Sequence, residues 1–183
     1  MGAYLVFLDE SGFLLTPTVR KTWAPVGLTP IIRHRFRNDR ISVISALSIS
    51  PERTRLGLYW MLSTTNINRD SVLVFLRNLL HHLRGPLIVF LDNSATHRGK
   101  PMREFLAQHP RLRLEYLPAY APELNPDEGV WGAIKARLAN GRPDDLVELK
   151  GRLVREFGRL ARSQSRLYGC FRQSSLPLVS LFR

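Results

Sequence analysis

Leu87-Ile88-Val89-Phe90-Leu91-Asp92 is an unbroken apolar run closed by an acid. Consecutive apolar residues without alternation are the pattern of a strand buried on both faces. Just before it, Val72, Phe75, Leu76, Leu79, Leu80 and Leu83 recur at three- and four-residue steps, which predicts an amphipathic helix ended by Gly85-Pro86. After it, a helix fits residues 100–108, a strand fits Leu112–Leu117, and another helix starts beyond Asn125. A further helix fits residues 145–162, where Leu146, Leu149, Leu153, Phe157 and Leu160 share a face. A buried strand set between two helices and followed by a second strand calls for βαβ crossovers.

Toward the N-terminus the period changes. Ala3 to Asp9 is a second apolar run ending in an acid, and Ile41–Ile49 and Leu56–Leu62 are β-rich runs parted by the turn-like Ser50-Pro51-Glu52. Residues 14–37, with Pro17, Pro25, Gly27 and Pro30, are expected as a β-hairpin insertion after the first strand. Hairpins followed by crossovers predict an α/β fold, a mixed five-stranded sheet flanked by helices. The 183 residues suit one domain. Its core is expected at about residues 3–140, with 141–183 as a C-terminal helical extension.

Charge narrows the function. Lys and Arg number 27 against 15 Asp and Glu, a net charge of +12. Such a field attracts polyanions, and most of the basic residues are Arg, whose planar fork suits phosphate oxygens. The single cysteine, Cys170, excludes an internal disulfide and fits a reducing compartment. No apolar run approaches the roughly 20 residues needed to cross a bilayer, so no membrane role and a cytoplasmic, nucleoid-associated location are expected. A glycine-rich phosphate loop is missing from the sequence, which argues against nucleotide hydrolysis.

Two of the strands therefore end in acids, Asp9 and Asp92, and Glu128 stands in the first turn of the helix after Asn125. Ligands in open α/β sheets collect beyond the carboxyl ends of strands, and Asp9 meets Asp92 there if the first strand lies parallel beside the fourth. Converging carboxylates repel unless a cation joins them. Each acid also has a local explanation: Asp9 and Asp92 suit turns, and Asn125-Pro126-Asp127-Glu128 reads as a helix N-cap with Glu128 as a capping-box residue.

Three blocks carry a resemblance: Leu8-Asp9-Glu10-Ser11-Gly12-Phe13, Val89-Phe90-Leu91-Asp92-Asn93-Ser94-Ala95-Thr96-His97, and Leu117-Pro118-Ala119-Tyr120-Ala121-Pro122-Glu123-Leu124-Asn125-Pro126-Asp127-Glu128-Gly129-Val130-Trp131. They resemble the signature blocks of Asp-Asp-Glu (DDE) transposases of bacterial insertion sequences, relatives of the mariner group, from about residue 4 to residue 140. The resemblance implies an RNase H-like fold and metal-dependent DNA cleavage and strand transfer during transposition. It also implies Asp9, Asp92 and Glu128 as catalytic ligands of two Mg²⁺ or Mn²⁺ ions. Implied partners are double-stranded DNA, as transposon ends and a target with TA dinucleotides, and a second copy of the chain on that DNA. An N-terminal helix-turn-helix module is expected in this group and is absent from this sequence. The group usually has an apolar residue where Asp127 stands, which keeps Glu123 and Asp127 open as ligands beside Glu128.

Candidate DNA contacts are Arg20, Lys21, Trp23, Arg33 and Arg35 in the 14–37 segment, with His97 and Lys135 nearer the acids. Trp23 suits stacking on a displaced base or a local core. Lys135 shares a helical stripe with Glu128 and Gly132, beside the apolar stripe of Trp131, Ile134 and Leu138. Two other functions fit the sequence: an RNase H-like nuclease without strand transfer, and a non-catalytic DNA-binding remnant.

Overall fold

Strands β1 (Tyr4–Leu14), β2 (Arg40–Ile49), β3 (Leu56–Ser63), β4 (Leu87–Leu91) and β5 (Leu112–Tyr116) form one sheet in the order β3-β2-β1-β4-β5. The computed structural model describes residues 2–16, 20–31, 39–141 and 143–176. β2 runs antiparallel to both β1 and β3, while β4 joins β1 and β5 joins β4 in parallel. The mixed five-stranded sheet expected from the alternation of strands and helices is therefore formed. Its helices are α1 (Arg69–His82), α2 (Lys100–Gln108), α3 (Asp127–Leu138), α4 (Leu146–Ala161) and α5 (Gln164–Arg172).

Strand alternation sorts the core into two layers. Val6 and Leu8 of β1, with Ile44 and Ala46 of β2, pack under α1 and α2 through Val72, Phe75, Leu76, Leu79, Met102 and Phe105. Phe7 and Phe13 of β1, with Val43, Leu47 and Ile49 of β2, face α3, α4 and α5 on the other side. Leu149, Leu153, Phe157 and Leu160 of α4 are all buried there, each burial stabilising by roughly 1.5–3 kcal/mol. The helices beyond residue 140 thus join α3 on one face of the sheet, where they pack over β2 and β3. Asp145 caps α4 by accepting from Glu148 N at 2.8 Å, and Asn68 caps α1 by accepting from Ser71 N at 2.9 Å. The short α5 buries Leu167, Cys170 and Phe171, too few turns to make a readable period in sequence.

Residues 20–31 form no strand, so the expected inserted hairpin is not built by the described part of that segment. The hairpin is instead made by β1 and β2 themselves, whose ends are tied where Leu15 N donates to Asp39 O at 3.0 Å. The segment is anchored near its start by Asn140, whose side chain accepts from Arg20 N at 2.9 Å and donates to Arg20 O at 3.0 Å. Among the described residues, no helix is long and apolar enough to cross a membrane.

Candidate active site

The pairing of β1 with β4 sets two acids level. Phe7 is the register partner of Phe90, and Asp9 and Asp92 each lie two residues farther along their parallel strands. A step of two keeps both side chains on the face of Phe7 and Phe90, whose rings stack with centroids 5.0 Å apart. The helix α3 crosses that face, held by buried Val130, Trp131 and Ile134, and its first turn brings Glu128 to the same place. Asp9, Asp92 and Glu128 line one cavity of about 420 Å³, together with Asn93, Tyr120 and Asn125.

Asp9 accepts a hydrogen bond from Trp131 Nε1 at 2.9 Å. Burial pushes its carboxyl up to about 6; the Trp131 bond opposes that rise, and the charges of Glu10 and Glu128 add to it. Sequence reasoning placed Trp131 in an apolar stripe and missed its polar end. The available signal was that a buried indole N–H needs a partner, and Trp131 lies one turn from Glu128.

Alternation sends Glu10 to the opposite face, where its Oε1 meets His97 Nε2 at 2.9 Å. The other ring nitrogen, Nδ1, lies 2.7 Å from Asp92 Oδ1 and 3.1 Å from the Asp92 carbonyl oxygen. Burial disfavours a charged ring there, but the bonds and charges of Glu10 and Asp92 outweigh it and lift His97 to about 9. A ring protonated at neutral pH donates from both nitrogens. The expectation of His97 as a DNA contact is corrected: it is 1 % exposed and both nitrogens are engaged, so it faces the protein and not a ligand.

The start of α3 also departs from the capping-box reading. Asn125 Oδ1 accepts from Asp127 N at 3.1 Å and the helix begins at Asp127, leaving the Glu128 side chain exposed on the cavity. Asp127 is fully buried: its Oδ2 accepts from Ser45 Oγ, and among the described residues its Oδ1 meets no hydrogen-bond donor. Ser45 is the register partner of Asp9, so β2 delivers that hydroxyl beside the acids. Burial, foremost, pushes the Asp127 carboxyl well above its usual range; the Ser45 bond opposes this, and Asp9, Glu128 and Glu10 add to it. Glu123 is exposed and does not line the cavity.

The basic candidates scatter. Arg20 and Lys21 are exposed, and Trp23 is 99 % exposed, which removes the local-core reading of that ring. Arg33 and Arg35 lie outside the described residues. Lys135 is half-buried and lines a separate cavity with Gly12, Leu14 and Arg152.

Three hard oxygen donors are a suitable set for Mg²⁺ or Mn²⁺, which take a few carboxylates and keep waters or phosphate oxygens as their other ligands. Among the described residues, no group of three or more His, Cys, Asp or Glu is already closed around one point. The acids line the wall of an open cavity, which suits a cation held partly by substrate.

Comparison with solved structures finds the same architecture. The chain superposes on the Mos1 strand transfer complex with a TM-score of 0.68 at 19 % identity, covering 92 % of this chain and 50 % of that one. For the Mos1 transposase catalytic domain with raltegravir and Mn the TM-score is 0.58 at 17 % identity, covering 98 % and 83 %. A simian T-cell lymphotropic virus intasome gives a TM-score of 0.58 at 10 % identity, covering 97 % and 57 %. At these identities the likeness establishes the RNase H-like fold, and the chain spans about half the length of the first of these proteins. No curated protein matches the sequence significantly. A family model does: the DDE superfamily endonuclease model matches residues 4–150, which takes in all five strands and the start of α4. The chain belongs to the DDE superfamily of endonucleases.

Proposed function

We propose that this chain is the catalytic domain of a DNA transposase that cleaves DNA and transfers strands with divalent metal. The observation that carries this reading is the shared cavity of Asp9 in mid-β1, Asp92 just past the end of β4 and Glu128 at the start of α3. Asp9 and Asp92 would hold one Mg²⁺ or Mn²⁺ between them, and Glu128 would help hold a second. Such a pair supplies activation of the attacking oxygen and stabilisation of the leaving one.

The protein's own part is placement. Trp131 holds one oxygen of Asp9, and the buried Ser45–Asp127 contact seats the first turn of α3 so that Glu128 faces the cavity. The carboxyl of Asp9, raised to about 6, ionises fully only above that pH, so the site is ready for a cation near neutrality. A net charge of +12 draws the DNA backbone toward it. Arg20, Lys21 and Trp23, exposed on the β1–β2 connection, are available to it. Pairing of two DNA ends by two copies and insertion at TA dinucleotides are part of the same proposal.

The test is a joining assay with Mn²⁺, a pre-cut duplex carrying a 3′-hydroxyl and a plasmid target. Joined product from the wild type, and none from Asp9→Asn, Asp92→Asn or Glu128→Gln proteins that stay folded, is the expected result. Cutting without joining would favour the nuclease reading. Metal-independent DNA binding without either reaction would favour the remnant.

A further inference from the structure

We infer that His97 is a positioning residue: clamped between Glu10 and Asp92, it fixes the Asp92 carboxylate so that Oδ2 alone is presented to the cavity. This rests on the metal site proposed above and assigns it a support that none of the three acids provides. Asp92 is 58 % exposed, so packing does not orient it. Two contacts on one oxygen do: Ser94 N donates to Oδ1 at 3.0 Å, and His97 Nδ1 stands 2.7 Å from the same atom. Among the described residues nothing hydrogen-bonds Oδ2.

The imidazole is itself immobile. It is 1 % exposed, its Nε2 is held by Glu10 Oε1 at 2.9 Å, and Tyr116 Oη donates to its backbone carbonyl at 3.0 Å. Glu10 comes from β1 and Asp92 follows the end of β4, so the ring also ties together the two strands that bring Asp9 and Asp92 to the cavity. His97 cannot serve as a ligand in this arrangement, since both nitrogens face carboxylates and the ring is closed off from the cavity. Outer partners of this kind hold a ligand's orientation, and their loss typically weakens metal binding about 10–100-fold.

The experiment is Mn²⁺ titration by calorimetry, below the melting temperature of each protein, on the wild type, His97→Gln, His97→Asn and Glu10→Ala. The amide nitrogen of Asn falls near the place of Nδ1 and that of Gln near Nε2, so only Asn keeps a donor beside Asp92. His97→Gln should weaken Mn²⁺ at least tenfold and His97→Asn should recover most of that loss, whichever of the two melts lower. Glu10→Ala, which frees the far end of the ring, should weaken Mn²⁺ about threefold or more. Equal affinities across the folded variants, or equal losses in Gln and Asn, would overturn the positioning role while leaving the metal site intact. Failure of the wild type to bind would overturn the metal site itself, and the role of His97 with it.

Discussion

Trp131 donates its indole N–H to Asp9 Oδ2 across 2.9 Å, joining a core residue of α3 to a carboxylate in the middle of β1. The ring is 2 % exposed and packs edge-on against Phe13 and Phe157, with centroids 6.0 and 6.1 Å away. The six-membered part of that packing survives Trp131→Phe, but the donor does not. The substitution should cost about 1–3 kcal/mol and push the Asp9 carboxyl still higher, because the Trp131 bond is the larger of the two hydrogen bonds, with the Glu10 backbone, that hold it down. Mn²⁺ affinity at neutral pH should fall about tenfold, as when other outer partners are removed. Calorimetry and thermal melts read the two effects separately, and an unchanged affinity would mean that Trp131 does not orient Asp9.

The raised carboxyl of Asp9 has a pH signature. Its folded value of about 6 lies above the ordinary 3.8, so its favourable contribution is complete below 3.8 and is lost as pH rises through 6. Ionised and metal-free at neutral pH, it costs the domain on the order of 3 kcal/mol. Asp9→Asn should therefore be the more stable protein at pH 7, with the gap closing toward pH 4. His97 titrates elsewhere: raised to about 9, it contributes below 6.5 and fades as pH rises through 9. Denaturant unfolding of both proteins across that pH range, without metal, makes the comparison. A gap that does not change with pH would show that Asp9 is not perturbed.

Much of this site was legible because its geometry is set by short-range rules. Runs such as Leu87–Leu91 give strands, and the parallel register then sets Asp9 and Asp92 level without further information. The helix at Asp127–Leu138 followed from its apolar stripe, and with it the arrival of Glu128. What could not be read were contacts between residues far apart in sequence. Glu10 and His97 are 87 residues apart and Ser45 and Asp127 are 82 apart, and no local pattern pairs them. The burial of His97 belongs to the same class, since a polar residue after a strand end reads as exposed until its partners are known. Residues 20–31 misled for the opposite reason: their prolines and glycine mark turns, yet the described stretch forms no strand between them.

Asp127 and Glu128 are neighbours with opposite surroundings, and substitution separates their roles. Asp127 is fully buried, with one oxygen that meets no donor among the described residues, whereas Glu128 is exposed on the cavity. Asp127→Asn keeps the shape and removes the cost of burying an ionisable carboxyl, so stability should stay level or rise by about 1 kcal/mol, and Mn²⁺ affinity should stay within about twofold. Glu128→Gln should leave the melting temperature alone and weaken Mn²⁺ at least tenfold. The reverse pattern, with Asn at 127 abolishing binding in a folded protein, would make Asp127 the ligand.

Two glycines on α3 provide the last comparison. A Cβ on Gly129 would stand 2.8 Å from the Cys170 Cα and 2.9 Å from its carbonyl carbon, with the carbonyl oxygen closer still. Those are backbone atoms of α5, so neither helix can yield without moving the other. Overpacking of this kind costs about 1–3 kcal/mol, or roughly 2–4 °C per kcal/mol in a domain of this size. A displaced α3 would also carry Glu128 away from Asp9, so Gly129→Ala should lose Mn²⁺ affinity along with stability. Gly132 lies one turn on, on the exposed face, with nothing within 4 Å of its would-be Cβ. Alanine there should stabilise by roughly 0.5–1 kcal/mol through helix propensity and leave Mn²⁺ binding unchanged. If DNA approaches along this face, Gly132→Ala should lower DNA affinity despite the gain in stability. Melting curves and Mn²⁺ titrations of the two variants decide the packing argument: if Gly129→Ala behaves like Gly132→Ala, α5 does not press on the first turn of α3.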